Sequence, residues 1–297
     1  MSDAPVRAAG EPACHLAYLT ANDLWNFSID ALNFRNMARL DPGVPRVDIS
    51  IAISRVRPFT RSDEADIAAL LRCAAAAPWL RVRRVIWKGN RGRDFSSAEA
   101  CLTALAREAA DDDFVLLRNR SAYGPFAAGW YRAYIDQYRR HPGTGLVGNT
   151  INLSGPPGLA PDEDGRHVQT YLYLSQWRHL APLAHDFPGN RCSDNASAIR
   201  SGELGLSRYM LSVGLCLSCL NWPERAFAAA TPDDPQLPRG DVKSAATQLP
   251  FRYKFPDYRR RRAAMLQRAA WVIGARWPFG RAPLAEATEV LHVRDYD

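Results

Sequence analysis

The chain has 297 residues, 47% hydrophobic and with eight tryptophans, which excludes a disordered protein and allows one large α/β unit or two subdomains. Its net charge of +7 favours anionic partners, although an arginine-rich composition alone gives the same sign. No apolar stretch reaches the roughly 18 residues that a membrane span needs, so a soluble or peripheral protein is expected.

Met1–Ala13 is polar, contains Pro and Gly, lacks the apolar core of a signal peptide, and is expected to be disordered. His15–Thr20 reads as a first strand, and Phe27–Leu40 as a helix with Ile29, Leu32, Met37 and Leu40 among its apolar positions. Val47–Ser54 is a second strand, followed by an alanine-rich helix near Ser62–Ala76 opened by Ser62. The third strand, Val82–Lys88, leads through Asn90-Arg91-Gly92-Arg93-Asp94 into a helix at about Ser97–Ala109, with Ser96-Ser97-Ala98-Glu99 as a capping-box pattern. Phe114–Leu117, ending in Arg118 and Asn119, is a fourth strand before a helix around Phe126–Arg140, and Gly145–Asn149 a fifth.

Strands alternating with helices of this length imply βαβ units and a mostly parallel sheet covered on both faces. Ligands of such sheets bind beyond the carboxyl ends of the strands. Those ends carry Thr20-Ala21-Asn22, Ser54, the Asn90–Asp94 loop, Asn119–Ser121 and Asn149, nearly all polar or small. A strand that passes through a glycine loop into a helix offers backbone N–H groups and positive dipole to an anion, which points to a phosphate-bearing ligand. The alternative at Asn90–Asp94 is a plain turn, with Gly92 at positive φ and Asp94 or Ser96 as cap.

Past Asn149 the pattern changes. Gly155–Arg166 is a breaker-rich loop and His167–Leu174 alternates like a strand, with His167 and Gln169 on one face. Ser201–Leu220 reads as helix, broken near Gly214, and Thr231–Asp241 as a second Pro/Asp-rich loop. Residues 1–13 are thus a disordered terminus, 14–150 a ligand-binding α/β half, and 151–297 a smaller α+β portion laid across its mouth. Six cysteines (Cys14, Cys73, Cys101, Cys192, Cys216 and Cys219) show no metal-site pattern. The Cys216-x-x-Cys219 pair lies in an apolar run with no second pair or nearby histidine, and reduced thiols in the cytoplasm are expected.

Four passages, Asn90–Asp94, Asn119-Arg120-Ser121-Ala122-Tyr123-Gly124-Pro125, His167-Val168-Gln169-Thr170 and Gly202-Glu203-Leu204-Gly205-Leu206-Ser207, resemble a GT-A-fold glycosyltransferase of the rhamnan-synthesis, polysaccharide-biosynthesis branch. The resemblance implies a GT-A-like, Rossmann-like α/β fold with an acceptor-side portion, a nucleotide-sugar donor, and a glycan or lipid-linked glycan acceptor in polysaccharide or lipopolysaccharide synthesis. It implies Glu203 as the base that deprotonates the acceptor; Arg120 and His167 are the other catalytic candidates, Arg120 from its place after the fourth strand and His167 from its strand face. Donor contacts would come from Thr20, Asn22, Ser54, Asn90, Arg91, Gly92, Arg93, Asp94, Arg118, Asn119, Ser121, Asn149 and Gln169. Such enzymes end the fourth strand with D-x-D, or N-D-S in the related branch, to hold a divalent cation; this chain reads Arg118-Asn119-Arg120-Ser121. Guanidinium groups cannot ligate a cation that takes oxygen ligands, but they neutralise charge on a departing diphosphate. Metal-independent, inverting transfer without a cofactor is therefore the expectation, with a divalent cation left open; loss of catalysis in a binding-only relative that supports a partner transferase is the alternative.

Asp111-Asp112-Asp113 spells D-x-D but precedes the fourth strand, at the amino end of the sheet, where an acidic solvated turn is expected. His167 equally suits a half-buried, hydrogen-bonded histidine, and Glu203 the first turn of a helix capped by Ser201. Arg259–Arg262, beside a stripe of Met265, Leu266, Ala269, Val272, Ile273 and Trp277, suits either docking on an anionic membrane surface or a core-packed C-terminal helix. Nucleic acid is not an expected partner, for no basic–aromatic repeat or known module is present.

Overall fold

A computed structural model describes residues 11–23, 27–156, 158–160, 163–232, 234, 236–238, 242–253, 288–293 and 296. The strands are β1 (Cys14–Ala21), β2 (Val47–Arg55), β3 (Leu80–Gly89), β4 (Phe114–Asn119), β5 (Ala122–Tyr123), β6 (Thr144–Gly148), β7 (Ile151–Asn152), β8 (His167–Val168), β9 (Leu172–Gln176), β10 (Cys216–Cys219), β11 (Ala226–Phe227), β12 (Arg252–Tyr253) and β13 (Glu289–Val293). The helices are α1 (Ser28–Arg39), α2 (Arg61–Ala75), α3 (Arg93–Leu105), α4 (Arg132–Arg140), the one-turn α5 (Trp177–Leu180) and α6 (Asn195–Ser197), α7 (Leu204–Ser212) and α8 (Val242–Ala245). Nine strands form one sheet in the order β11-β10-β6-β9-β4-β1-β2-β3-β13. The pairings of β1 with β2 and β4, β2 with β3, β3 with β13, and β6 with β10 are parallel, whereas β9 runs antiparallel to both β4 and β6. The fold is mixed α/β, a mostly parallel sheet flanked by helices, as the alternation of strands and helices predicts.

Period-two alternation divides the core between the two faces. Leu16, Tyr18, Ile49, Ile51, Ile53, Phe114 and Leu116 pack with α1, α2 and α4 on one side. Ala17, Leu19, Ala52, Ile86, Val115 and Leu117 face α3 and α7 on the other. Small residues on the second face let α3 come close, and the Cys101 thiol of that helix lies 3.8 Å from the Ser50 carbonyl of β2. Helix α2 starts one residue before its expected cap: Thr60 and Asp63 form a capping box, and Arg57 clasps the Asp63 carboxylate at 2.6 Å.

Several boundaries differ from expectation. Helix α3 begins at Arg93, after Gly92 in a left-handed conformation, so Ser96 and Ser97 lie inside it and bond back to the Arg91 and Arg93 carbonyls rather than capping. The expected strand His167–Leu174 is two strands in two sheets, because the chain turns at Gln169–Thr170. A helix does not start at Ser201: Asp194 caps α6, a π-helical turn spans Ala198–Glu203, and Ser201 donates back to the Ser197 carbonyl. Beyond α7, Gly214 at φ 81° breaks the run and the chain becomes β10, a strand. Since β9, β10, β11 and β13 extend the sheet begun by β1, the expected division at residue 150 does not divide that sheet. The stripe from Arg259 to Trp277 lies outside the described residues, as does most of Met1–Ala13.

At the amino edge, Asp111 and Asp112 are exposed as expected, but Asp113 is buried and is no solvated turn residue. Its carboxylate accepts from the Ala13 and Ala110 amides at 2.7 and 2.9 Å and faces His15 at 3.4 Å, tying the start of β1 to the start of β4. Burial raises its pKa, yet His15 and the two amides more than reverse this and bring it from 3.8 down to about 2. A depressed carboxylate stabilises the fold above its unfolded pKa and loses that contribution as pH falls through the folded value. Between about pH 4 and pH 2 the unfolding free energy should therefore fall by about 2 kcal/mol more in the wild type than in Asp113→Asn, measured by urea titration at each pH. Parallel pH curves for the two proteins would refute this account.

Candidate functional site

From β1 the chain passes through α1 to β2 and through α2 to β3, then returns through α3 to β4 on the other side of β1. The carboxyl ends of β1 and β4 thus border the point at which the winding reverses, where open parallel sheets form a crevice. Asn119, Arg120 and Ser121 arrive from β4, Thr20 to Asp23 from β1, and Asp94 from the first turn of α3.

Arg120 is held from three directions. Its amide bonds to the Leu19 carbonyl at 3.2 Å, and Nη1 donates to the Ala21 carbonyl at 3.3 Å and to Asp23 Oδ1 at 3.0 Å. Nη2 donates to Asp23 Oδ2, which completes a bidentate pair. Burial works against the Arg120 charge, but Asp23 and Asp30 outweigh it and raise its pKa. Arg120 and Asp23 side chains keep 21% and 22% of their exposure, so a solute can reach both. Beside them Asn119 Nδ2 donates to Asp94 Oδ2 at 2.8 Å, while Asn119 Oδ1 accepts the Ser121 amide at 2.9 Å. Burial pushes the Asp94 carboxyl up, against Asn119, Arg120, Lys88 and Arg93.

The Asn90–Asp94 loop is built as a turn whose backbone is used by the fold. Arg91 N donates to the Tyr296 carbonyl at 3.3 Å and Gly92 N to the Cys192 carbonyl at 3.1 Å. Asn90 is exposed and its carbonyl accepts the Arg93 amide at 3.1 Å. The Arg91 and Arg93 side chains are exposed, with Arg93 reaching Asn195, and neither makes an ion pair among the described residues.

From the segment before α7, Glu203 closes the π-helical turn, with Oε2 3.5 Å from His167 Nε2 and Oε1 accepting the Thr170 hydroxyl at 3.1 Å. The other ring nitrogen, His167 Nδ1, donates to the Gly165 carbonyl at 2.8 Å. Gly202, next to Glu203, lies against the ring of Phe95, next to Asp94; a Cβ there would come within 2.2 Å of that ring. The Tyr171 carbonyl, next to Thr170, accepts the Asn119 amide at 3.0 Å. Residues 94, 119, 170 and 203 therefore sit around one stretch of the carboxyl edge.

Other expected contacts are redirected by the fold. Arg118 does not reach the crevice. It points to the opposite face of the sheet and is fully buried, its guanidinium 5.1 Å from the Tyr18 ring and 4.6 Å from that of Phe251, with hydrogen bonds to the Ala122 and Gly124 carbonyls. Asn22 is likewise consumed by structure: its side chain bonds Arg57 O at 3.0 Å and accepts Val56 N at 2.8 Å, pinning the β2–α2 connection. Asn149 is buried among Tyr134, Tyr171 and the Phe251 carbonyl, at 2.6 to 2.9 Å. Ser54 lies beneath α3 against Ser97, and Gln169 bonds Thr150 at 2.7 Å. The buried Thr20 hydroxyl leans toward Asp30 without reaching hydrogen-bond geometry.

Three groups at this edge escaped the sequence reading. Asp23 pairs with a residue 97 positions away, a separation that no local pattern encodes. Lys88 is fully buried at the end of β3, where Nζ donates to the Gly89 carbonyl at 2.7 Å; burial, partly opposed by Asp94, pushes its pKa down to about 8. Glu99, expected in a capping box, instead holds Asn190 at 3.0 Å and the Tyr296 hydroxyl, which fixes the segment that closes over Gly92. Among the described residues no group of three His, Cys, Asp or Glu side chains is arranged to hold a metal ion, and the two acids of the crevice are engaged by Arg120 and Asn119.

No family model matches the chain, and no curated protein matches it. Among solved structures it is similar to the WbbM bifunctional glycosyltransferase, with a TM-score of 0.36 and 9% identity over 60% of this chain. The chain spans about a third of that protein's length, 34%. It is also similar to the galactosyltransferase LgtC, seen with donor and acceptor sugar analogs, at a TM-score of 0.38 and 13% identity over 69% of this chain and 72% of that one. A 4-diphosphocytidyl-2C-methyl-D-erythritol synthase gives a TM-score of 0.35 and 16% identity over 66% of this chain and 86% of that one. At these values none of them assigns an activity or a residue role to this chain.

The closure of the loop can be tested directly. Gly92 has φ 72°, and a Cβ there would lie 1.8 Å from the Asn190 carbonyl oxygen. Gly92→Ala should cost more than ~2 kcal/mol in chemical denaturation, from left-handed strain and overlap together. An unchanged denaturation midpoint would mean that the loop and residues 187–192 do not meet as described.

Proposed function

We propose that the chain is a glycosyltransferase that binds a nucleotide-sugar at the crevice between β1 and β4 and transfers the sugar to a glycan or lipid-linked glycan acceptor. The observation that carries this reading is the meeting of Arg120–Asp23 and Asn119–Asp94 at the carboxyl edge where the winding reverses, with Arg91 and Arg93 exposed on the loop that leads into α3. The donor diphosphate would take Arg120 in exchange for Asp23, and Arg91 and Arg93 would meet its remaining charge. Glu203, oriented by His167 and Thr170, would take the proton of the acceptor hydroxyl. The acceptor oxygen then bonds to the anomeric carbon as the bond to the phosphate oxygen breaks, giving inversion and a nucleoside diphosphate whose charge Arg120 offsets. Arg118, buried on the other face, takes no part.

One feature favours a second reading, a donor-binding protein without turnover: Arg120 is already neutralised by Asp23, and among the described residues no metal-ligand group replaces it. Release of the nucleoside diphosphate from UDP-, GDP- and dTDP-sugars, and of CMP from CMP-sugars, with and without EDTA, separates the two. Turnover unchanged by EDTA is the expected result, and Arg120→Ala should lower donor affinity or turnover about tenfold or more. Abolition by EDTA would remove the arginine mechanism; donor-dependent thermal stabilisation without turnover would favour the binding protein. If no nucleotide-sugar stabilises the fold, the donor assignment itself fails.

A further inference from the structure

At the opposite, amino edge of the sheet a cavity of about 550 Å³ opens between the end of α4, the start of β6 and the end of β9. Its walls carry Arg139, His141, Arg178 and His179, together with Tyr138 and Gln176, and no carboxylate. The cations come from two separate segments. Arg139 lies in the last turn of α4, and Arg178 and His179 in the one-turn helix α5 that directly follows β9.

These side chains are partly fixed and yet unspent. Arg139 leans on the Phe114 ring, its guanidinium 5.6 Å from the centroid. Arg178 bonds Gln176 Oε1, which also accepts the Tyr138 hydroxyl at 3.1 Å. Neither arginine makes an ion pair among the described residues, and Asp111 and Asp112, exposed on the adjoining turn, do not line the cavity. The His179 ring lies against Tyr138 at 6.5 Å, half-buried, without a hydrogen bond to another described residue. Burial, with Arg178 beside it, lowers its pKa, so at neutral pH it presents one N–H donor. His141 Nε2 is already given to the Pro223 carbonyl at 2.8 Å and so orients the turn.

We infer that this cavity is a second ligand site, for a small molecule bearing a phosphate or diphosphate group, held by Arg139, Arg178 and His179. Two arginines lining one cavity without a carboxylate beside them suit the oxygens of a phosphate. The volume exceeds what a bare anion needs and falls within the range of small-molecule sites, so a phosphate ester is the fitting class. The site is independent of the crevice between β1 and β4, and the inference does not rest on the proposed transferase activity.

Inorganic pyrophosphate is the probe, followed through the imidazole NMR resonances of His179 and His141 in the full chain. Its addition should shift the His179 resonance saturably in the wild type and equally in Arg120→Ala. In Arg139→Gln/Arg178→Gln the dissociation constant read from that shift should rise about tenfold or more. Circular dichroism checks that the variant folds; should it not, Arg178→Gln alone should weaken binding in the same direction. No saturable shift, or an unchanged constant in the folded variant, overturns the inference. Loss of nucleotide-sugar binding in Arg120→Ala with the His179 response intact bears on the proposed function alone.

Discussion

The carboxyl edge depends on how three consecutive residues leave β4. Alternation sends Arg118 to one face of the sheet and Asn119 to the other, and Arg120 then turns back onto the end of β1. Arg118 carries a full charge in the interior, where an unpaired ion is costly. Two backbone carbonyls and the π faces of Tyr18 and Phe251 receive it, and burial lowers its pKa. That anchorage places the next two residues. Asn119 joins the start of α3 to the start of β9, and Arg120 joins β4 to β1, so four elements are fixed at one point.

The edge is electrostatically prepared in two ways. Within the crevice the cation is pre-paired: both Asp23 carboxylate oxygens accept from the Arg120 guanidinium. On the loop before α3, Arg91 and Arg93 are exposed and make no ion pair among the described residues, and the loop's backbone is pinned by Cys192 and Tyr296. The Arg120–Asp23 pair costs less to maintain than a lone buried guanidinium would. The acid on the other wall, Glu203, is set by His167 and Thr170, and the two walls touch through Gly202 and Phe95, where any side chain at position 202 would collide with the ring.

Much of this was legible before the coordinates. Runs such as Val47–Arg55 could only be buried strands, and their alternation with helices specified a parallel sheet with its ligand edge at the carboxyl ends. Gly92 was readable as a left-handed residue because the loop must reverse there, and φ is 72°. Boundaries failed where short-range signals had two solutions. Ser96, Ser97 and Glu99 fit a capping box on paper, but a buried Glu99 gains more by binding Asn190 and Tyr296, so the helix starts earlier. The apolar run after Gly214 suits helix or strand equally; the open edge of β6 made it a strand.

The sequence by itself thus determined the strands and helices of the first half of the chain and which edge of the sheet gathers polar residues. These follow from hydrophobic period and residue chemistry, which act over a few positions. The tertiary structure alone decided which polar residues are spent on the fold and which face solvent. Asn22, Asn149 and Arg118 looked like ligands and are internal braces, whereas Asp23 went unnoticed and holds the central arginine. The reason is physical: whether a polar side chain is free depends on buried backbone groups that need a partner, and those arrive from segments a hundred residues away.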